Sequence, residues 1–195
     1  MSITTGEQVY TPDDLLRLPD AERFELVHGK LVERHIGTEA VGFASRIFGL
    51  IWVFLLDHPL GHLLMSEAAY ACFPDDPNHT RRPDTSFIRF GRLPDENLPK
   101  GNCPIPPDLA IEVVSPHDAA EEITSKVADF QSVGVPLIWV VYPASRRVLV
   151  HRLRSSPHER VSELTDADTI TGEDVLHGFS CPVAEFFRLP VPPQA

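Results

Sequence analysis

The chain has 195 residues, of which 43% are hydrophobic, so it is long enough to bury one sizeable core and most simply forms one domain. Lys and Arg number 17 against 28 Asp and Glu, a net charge of −11, which excludes a protein that coats nucleic acid non-specifically. Its three cysteines (Cys72, Cys103 and Cys181) are far apart and form no CxxC, which suits a reducing compartment and offers no zinc framework.

The first predicted element is a short helix opening at Thr11-Pro12-Asp13-Asp14. The threonine serves as N-cap, proline takes the first helical position, and the acids face the positive helix end. Pro19 stops it. FELVHGKLVE then reads as a hairpin over 24–33, turning at His28-Gly29. A long helix is expected over 38–56, apolar nearly all round its second half and therefore buried. Its longest apolar run, 47–56, is shorter than the roughly 20 residues that span a bilayer. With no opening signal-peptide pattern, the expectation is a cytoplasmic protein with no membrane segment.

Residues 62–73 read as a strand, followed by a polar, proline-rich loop over 74–83 and a second strand over 84–90. A long loop with five prolines covers 91–107. PPDLAIEVVSP holds the central strand, 108–114. His117 or Asp118 is placed to cap a helix reaching about Val133, with Gly134 as its stop. Strands over 137–142 and 147–153 follow, and the tail from 161 to 189 holds short strands and a brief helix near 183–187. A strand–helix–strand core over 108–142 implies a right-handed crossover and a parallel strand pair.

The chemistry lies in three acids and a lysine. Glu112 interrupts the apolar run Leu109, Ala110, Ile111, Val113, Val114, where a lone buried carboxylate costs on the order of several kcal/mol unless a cation or proton offsets it. Alternation puts Asp108, Ala110, Glu112 and Val114 on one strand face, and Asp84, Ser86 and Ile88 on one face of the strand before. If the strands are neighbours, Asp84 and Glu112 meet, and hard divalent cations want such oxygen ligands. Lys126 lies three residues after Ile123 and four before Phe130, on the edge of the next helix's inward stripe. Glu25 adds a third acid from the hairpin. Carboxylates with a lysine are what a metal-dependent phosphodiesterase needs. Each residue also has a bland alternative: a turn aspartate at 84, a partly exposed polar residue at 112, a solvated strand glutamate at 25, and a snorkelling lysine or a Glu122 partner at 126.

Two local basic stretches stand out on this acidic chain. Residues 79–92 contain Arg81, Arg82, Arg89 and Arg92 beside the single acid Asp84, and residues 144–154 contain Arg146, Arg147, Arg152 and Arg154 with no acid. They fit a confined polyanion site or, equally, solvated loop arginines. Asp108 is a candidate extra metal ligand or, more simply, a turn former after two prolines. The nine histidines show no HExxH or other ligand spacing, and there is no Walker loop, GxGxxG or GxSxG.

Taken together, YTPDDLLRLPD, RFELVHGKLVER, RRPDTSFIRFGRLP, the block from PPDLAIEVVSP to LIWVVYP, and DTITGEDVLHGFSCPVAEFF resemble the Uma-two family of restriction-endonuclease-like proteins. That family lies in the PD-(D/E)XK nuclease superfamily. The resemblance implies an α/β fold of restriction-endonuclease type, with a mixed central sheet flanked by helices. It also implies one nuclease-like domain over 1–195, with 1–20 a helical lead-in and 161–195 a C-terminal extension. Asp84 matches the aspartate of the Pro-Asp element and Glu112 the second acid. The lysine expected two residues after that acid is missing, and Lys126 matches one displaced to the following helix. Glu25 matches an additional N-terminal acid. Phe130 departs from a tyrosine in many relatives, and the segment 37–40 lacks a histidine that many members carry.

The implied activity is Mg²⁺- or Mn²⁺-dependent endonuclease hydrolysis of phosphodiester bonds, most simply of DNA, leaving a 5′-phosphate and a 3′-hydroxyl. Asp84, Glu112 and the Val113 carbonyl would hold the metal. Lys126 would orient water or stabilise the phosphorane, and Glu25 would bind a second metal or position water. Arg81, Arg82 and Arg89 are candidate phosphate contacts. The expected partner is nucleic acid, with a homodimer as one assembly. A catalytically silent binding or assembly module, favoured by the acidic net charge, is the alternative, and RNA or a small phosphodiester is an alternative substrate.

Overall fold

The structure, a computed structural model, describes residues 8–34, 37–116, 118–153 and 161–190. Helix α1 (Pro12–Arg17) opens with a reciprocal cap: the Thr11 hydroxyl accepts from Asp14 N, and the Asp14 carboxylate accepts from Thr11 N. Strands β1 (Phe24–Val27) and β2 (Lys30–Glu33) form the expected hairpin. His28 (φ +51°) and Gly29 (φ +77°) both take left-handed backbone, as a two-residue turn matched to strand twist requires. The hairpin is pinned to the 74–83 loop, with Gly29 N donating to Asn78 O and Thr80 N to Leu26 O. That pinning carries Glu25 beside Arg81 and Arg82.

The central sheet contains β3 (Gly61–Met65), β4 (Thr85–Arg89), β5 (Leu109–Val113), β6 (Leu137–Tyr142), β7 (Arg147–Arg152) and β8 (Val161–Thr165), in that spatial order. Every pairing is antiparallel except β5 with β6, which run parallel and are joined through α3 (Ala120–Ser132). This is the mixed sheet expected from the strand–helix–strand core. Because strand side chains alternate, β5 feeds two cores. Leu109, Ile111 and Val113 pack with α2 (Thr38–Asp57) and the tail, while Ala110 packs with Ile123, Val127 and Phe130 of α3. Glu112 falls on the α3 side. The last hairpin, β9 (Thr169–Gly172) with β10 (Leu176–Pro182), covers the α2 side together with a 3₁₀ turn at Val183–Phe187.

Several expectations need correction. The strand expected over 62–73 ends at Met65, because Ala68 N turns back to Met65 O, and Tyr70 beyond it makes only isolated bridges to Arg81 and Cys103. Asp118 does not cap α3: it accepts from Ser115 N and Oγ, Ala119 is the N-cap, and His117 lies outside the described residues. Residues 161–190 contribute to the core, supplying β8 and the buried Val183, Phe186 and Phe187. Helix α2 is not buried all round. Phe43, Ile47, Ile51 and Leu55 form one buried stripe, while Trp52, Val53 and Leu56 are 49–65% exposed. At 20 residues it is long and apolar enough to cross a bilayer, yet its stripe is committed to the sheet.

That stripe gives a stability prediction. Ile47→Ala, at a fully buried position, is expected to cost about 2–5 kcal/mol, whereas Val53→Ser on the exposed face should stay within about 0.5 kcal/mol. Urea denaturation measures both, and equal losses would mean that the Val53 face is covered in solution.

Candidate active site

Glu112 reaches the α3 side near the C-terminal end of β5, where its side chain is 3% exposed. Lys126 is brought over it by the helical repeat of α3, since Ile123, Val127 and Phe130 anchor the same inward face. The lysine ammonium lies 3.3 Å from Glu112 Oε2 and 3.3 Å from Glu25 Oε1. It therefore neither snorkels nor pairs with Glu122. Asp84 precedes β4, which pairs with β5, and its Oδ2 accepts from Val113 N at 2.8 Å. Neighbouring strands thus bring Asp84 and Glu112 to one place.

That place is a pocket of about 70 Å³, lined by Asp84, Glu112, Val113, Lys126, Arg34 and the start of α2. It has room for a hydrated ion, since one water needs only about 10–15 Å³ by this measure. Glu112 Oε1 is buried there without a hydrogen-bond partner among the described residues. Burial first, then the charges of Asp84 and Glu25, push the Glu112 carboxyl up to about 8 against the pull of Lys126. Asp84 is also raised by burial, with Lys126, Val113 N and Arg34 opposing.

Glu25 sits behind the lysine and does not line the pocket. Oε1 accepts from Arg82 N and faces Lys126, while Oε2 accepts from Arg81 Nη1 at 2.9 Å. Burial pushes its carboxyl up, but Lys126, Arg81 and the Arg82 amide overcome this and hold it below the ordinary value. Outside the pocket lining and in contact with the ammonium, it is placed to hold Lys126.

The arginines depart from expectation. Arg81 is buried between Glu25 and Asp129, and Arg82 spends its side chain on the carbonyls of Phe24 and Glu67. Arg89 and Arg92 pair with Asp108, which is buried away from the pocket and is no extra metal ligand there. None of the three candidate phosphate contacts (Arg81, Arg82, Arg89) lines the pocket, because each is already paired internally. Of the second basic stretch, Arg146, Arg147 and Arg152 pair with Asp166, Glu163 and Glu173, and Arg154 lies outside the described residues. Sequence reasoning missed Arg34, which lines the pocket, donates to Ser66 O at 3.1 Å and lies 3.4 Å from Asp84 Oδ1.

Two glutamates on one lysine should respond oppositely to pH. The folded state holds the Glu112 proton more tightly than the unfolded chain, so its stabilising contribution is full below about 4.5 and lost as pH rises to about 8. Glu112→Gln is therefore expected to gain stability relative to wild type as pH rises through that window. Glu25 is shifted the other way: its contribution is present above 4.5 and lost as pH falls through its lower folded value. Glu25→Gln should cost about 3–5 kcal/mol near neutrality by leaving buried cations short of a partner. Urea midpoints across pH in chelator test the pair, and pH-independent offsets in both variants would contradict it.

Among proteins with curated functions, none matches this chain. The crystal structure of a protein from Anabaena variabilis ATCC 29413, described as a "putative nuclease belonging to DUF820", is similar to it. That likeness has a TM-score of 0.74 at 19% identity, covers 91% of this chain and 97% of the other, and speaks for the fold. A family model described as "Putative restriction endonuclease" matches residues 12–184. By that match, which spans every residue lining the pocket and most of the chain's length, the chain belongs to the Uma2 family.

Proposed function

We propose that this protein is a divalent-metal-dependent nuclease whose catalytic group is Asp84, Glu112 and Lys126, with DNA as its first substrate class. The observation that carries the reading is the buried, unpartnered Oε1 of Glu112, which shares the pocket with Asp84. An ionised carboxylate left that way is costly, and a cation in the pocket would satisfy it. The donors are carboxylate oxygens, the set that Mg²⁺ and Mn²⁺ prefer, so the residues fit such an ion. Asp84, Glu112 and the Val113 carbonyl would hold it. When bound, the ion supplies positive charge against the phosphate oxygens and acidifies water.

The chain's own groups do the rest. Asp84 is oriented by the Val113 amide, which leaves Oδ1 toward Arg34. Lys126 stays protonated because burial is outweighed by the three carboxylates around it, which hold its ammonium well above the ordinary range. It cannot act as a base, and it donates hydrogen bonds either to the attacking water or to the oxygens of the phosphorane. Glu25 positions Lys126 from behind, and Arg81 positions Glu25. Arg34 is the pocket's arginine, and a guanidinium there is suited to a phosphate oxygen. The products of such hydrolysis would be a 5′-phosphate and a 3′-hydroxyl.

The deciding experiment is cleavage of supercoiled DNA, single-stranded DNA and RNA with Mg²⁺ or Mn²⁺, for wild type beside Glu112→Ala and Lys126→Met. Cutting by wild type alone, with each variant slower by about 100-fold or more, is expected. Metal-dependent thermal stabilisation should vanish in Glu112→Ala and survive in Lys126→Met, separating a ligand from a group that acts on the phosphate. Metal stabilisation without cutting of any substrate would favour a binding or assembly role over a nuclease.

A further inference from the structure

A second group of metal-ligating side chains lies on the far side of the Glu25–Arg81 pair. Among the described residues, His28, Asp76 and His79 are the group of three His, Cys, Asp or Glu side chains whose ligand atoms all come within 4.8 Å of one another. They line a separate cavity of about 240 Å³, together with Phe73 and Asp129. Two chain segments supply the three ligands, the β1–β2 turn and the 74–83 loop. His28 comes from the left-handed β1–β2 turn, and Asp76 is fixed by accepting from Asn78 N through Oδ1, which leaves Oδ2 facing the two histidines. His79 is held against Phe73, ring centroids 4.4 Å apart, at the base.

His79 is the informative member, at 3% exposure. Its Nε2 lies 3.1 Å from Asp129 Oδ2, a carboxylate oxygen that can only accept, so Nε2 carries the proton. In the neutral ring Nδ1 is then a lone pair. That nitrogen is buried with no hydrogen-bond partner among the described residues and lies 3.6 Å from Asp76 Oδ2, another acceptor. A lone pair facing a carboxylate in a buried site calls for a cation between them. An imidazole whose far nitrogen donates to a carboxylate is also the arrangement that fixes and strengthens metal-binding histidines.

We propose that His28, Asp76 and His79 form a transition-metal site of the Zn²⁺ class, distinct from the carboxylate pocket. Two imidazole nitrogens and one carboxylate oxygen suit Zn²⁺, Co²⁺ or Ni²⁺ rather than Mg²⁺. Binding replaces the 2.5 Å His28–Asp76 contact with shared coordination, and the half-open cavity leaves a fourth position for water. The site clamps the β1–β2 turn onto the 74–83 loop, the same junction that aligns Glu25 with Arg81.

Co²⁺ is the probe, titrated near neutral pH into untagged Glu112→Ala protein, which lacks one of the carboxylates proposed to hold the pocket's ion. One Co²⁺ per chain with a tetrahedral ligand-field band, displaced by Zn²⁺ and not by Mg²⁺, is the expected result. His28→Ala, which alters a side chain 75% exposed and so spares the fold, should abolish the band. Asp129→Asn, which disturbs the histidine's outer partner, should weaken binding by about 10–100-fold. No band in Glu112→Ala, or a band that persists unchanged in His28→Ala, would overturn the site.

Discussion

The buried ammonium of Lys126 is the interaction on which the arrangement turns. Three carboxylates surround it, and it touches two of them at equal distance, Glu25 behind and Glu112 in front. Neither glutamate is solvated, and neither could remain ionised in that position without the lysine. Three separate parts of the chain must therefore arrive together: the first hairpin with Glu25, the central strand with Glu112, and α3 with Lys126. The parallel β5–β6 pair matters because its crossover is α3 itself, so the helix that delivers the lysine is also what covers the strand carrying its partner.

The two glutamates differ because their remaining neighbours differ. Glu25 has Arg81 on one oxygen and the Arg82 amide on the other, so its charge is fully compensated. Glu112 has the lysine on Oε2 and nothing on Oε1, with Asp84 adding a like charge nearby. The first is a structural anion, and the second is a carboxyl that holds its proton unless a cation replaces it. The same contrast separates Arg81 and Arg82, consumed inside the protein, from Arg34, which reaches the pocket.

How much of this could be read from the sequence follows from how far each contact reaches along the chain. The Lys126–Glu112 pair spans 14 residues, a strand and the helix after it, and alternation plus helical repeat suffice to bring the two together. The hairpin, the Thr11 cap and the central strand are likewise local and were legible. Arg81–Glu25 and Arg34–Asp84 span 56 and 50 residues, and no periodicity marks them. Adjacent arginines after a polar loop look solvated until the hairpin docks over them. A signal did exist: an acid in an apolar strand, as at Glu25, demands a cation from somewhere, and the 79–92 stretch was the richest source. The His28, Asp76 and His79 group was illegible for the same reason, since its members show no ligand spacing and meet only when the hairpin turn is pinned to the loop.

The net charge of −11 bears less on polyanion binding than it suggests, because many of the basic groups are already spoken for. Arg89 and Arg92 neutralise the buried Asp108, Arg81 neutralises Glu25 and Asp129, and the arginines of β7 pair across to acids on neighbouring strands and turns. The charged groups lining the pocket are Asp84, Glu112, Asp118 and Glu122 against Lys126 and Arg34, a set with an excess of acid. A divalent ion added to that set would offset the excess over the few ångströms where phosphate oxygens would sit, while the remaining acidic charge is screened within about 8–10 Å by physiological salt. An acidic chain can thus hold a polyanion at one confined point while repelling it elsewhere, which favours brief contact at a single phosphodiester over tight coating of a strand.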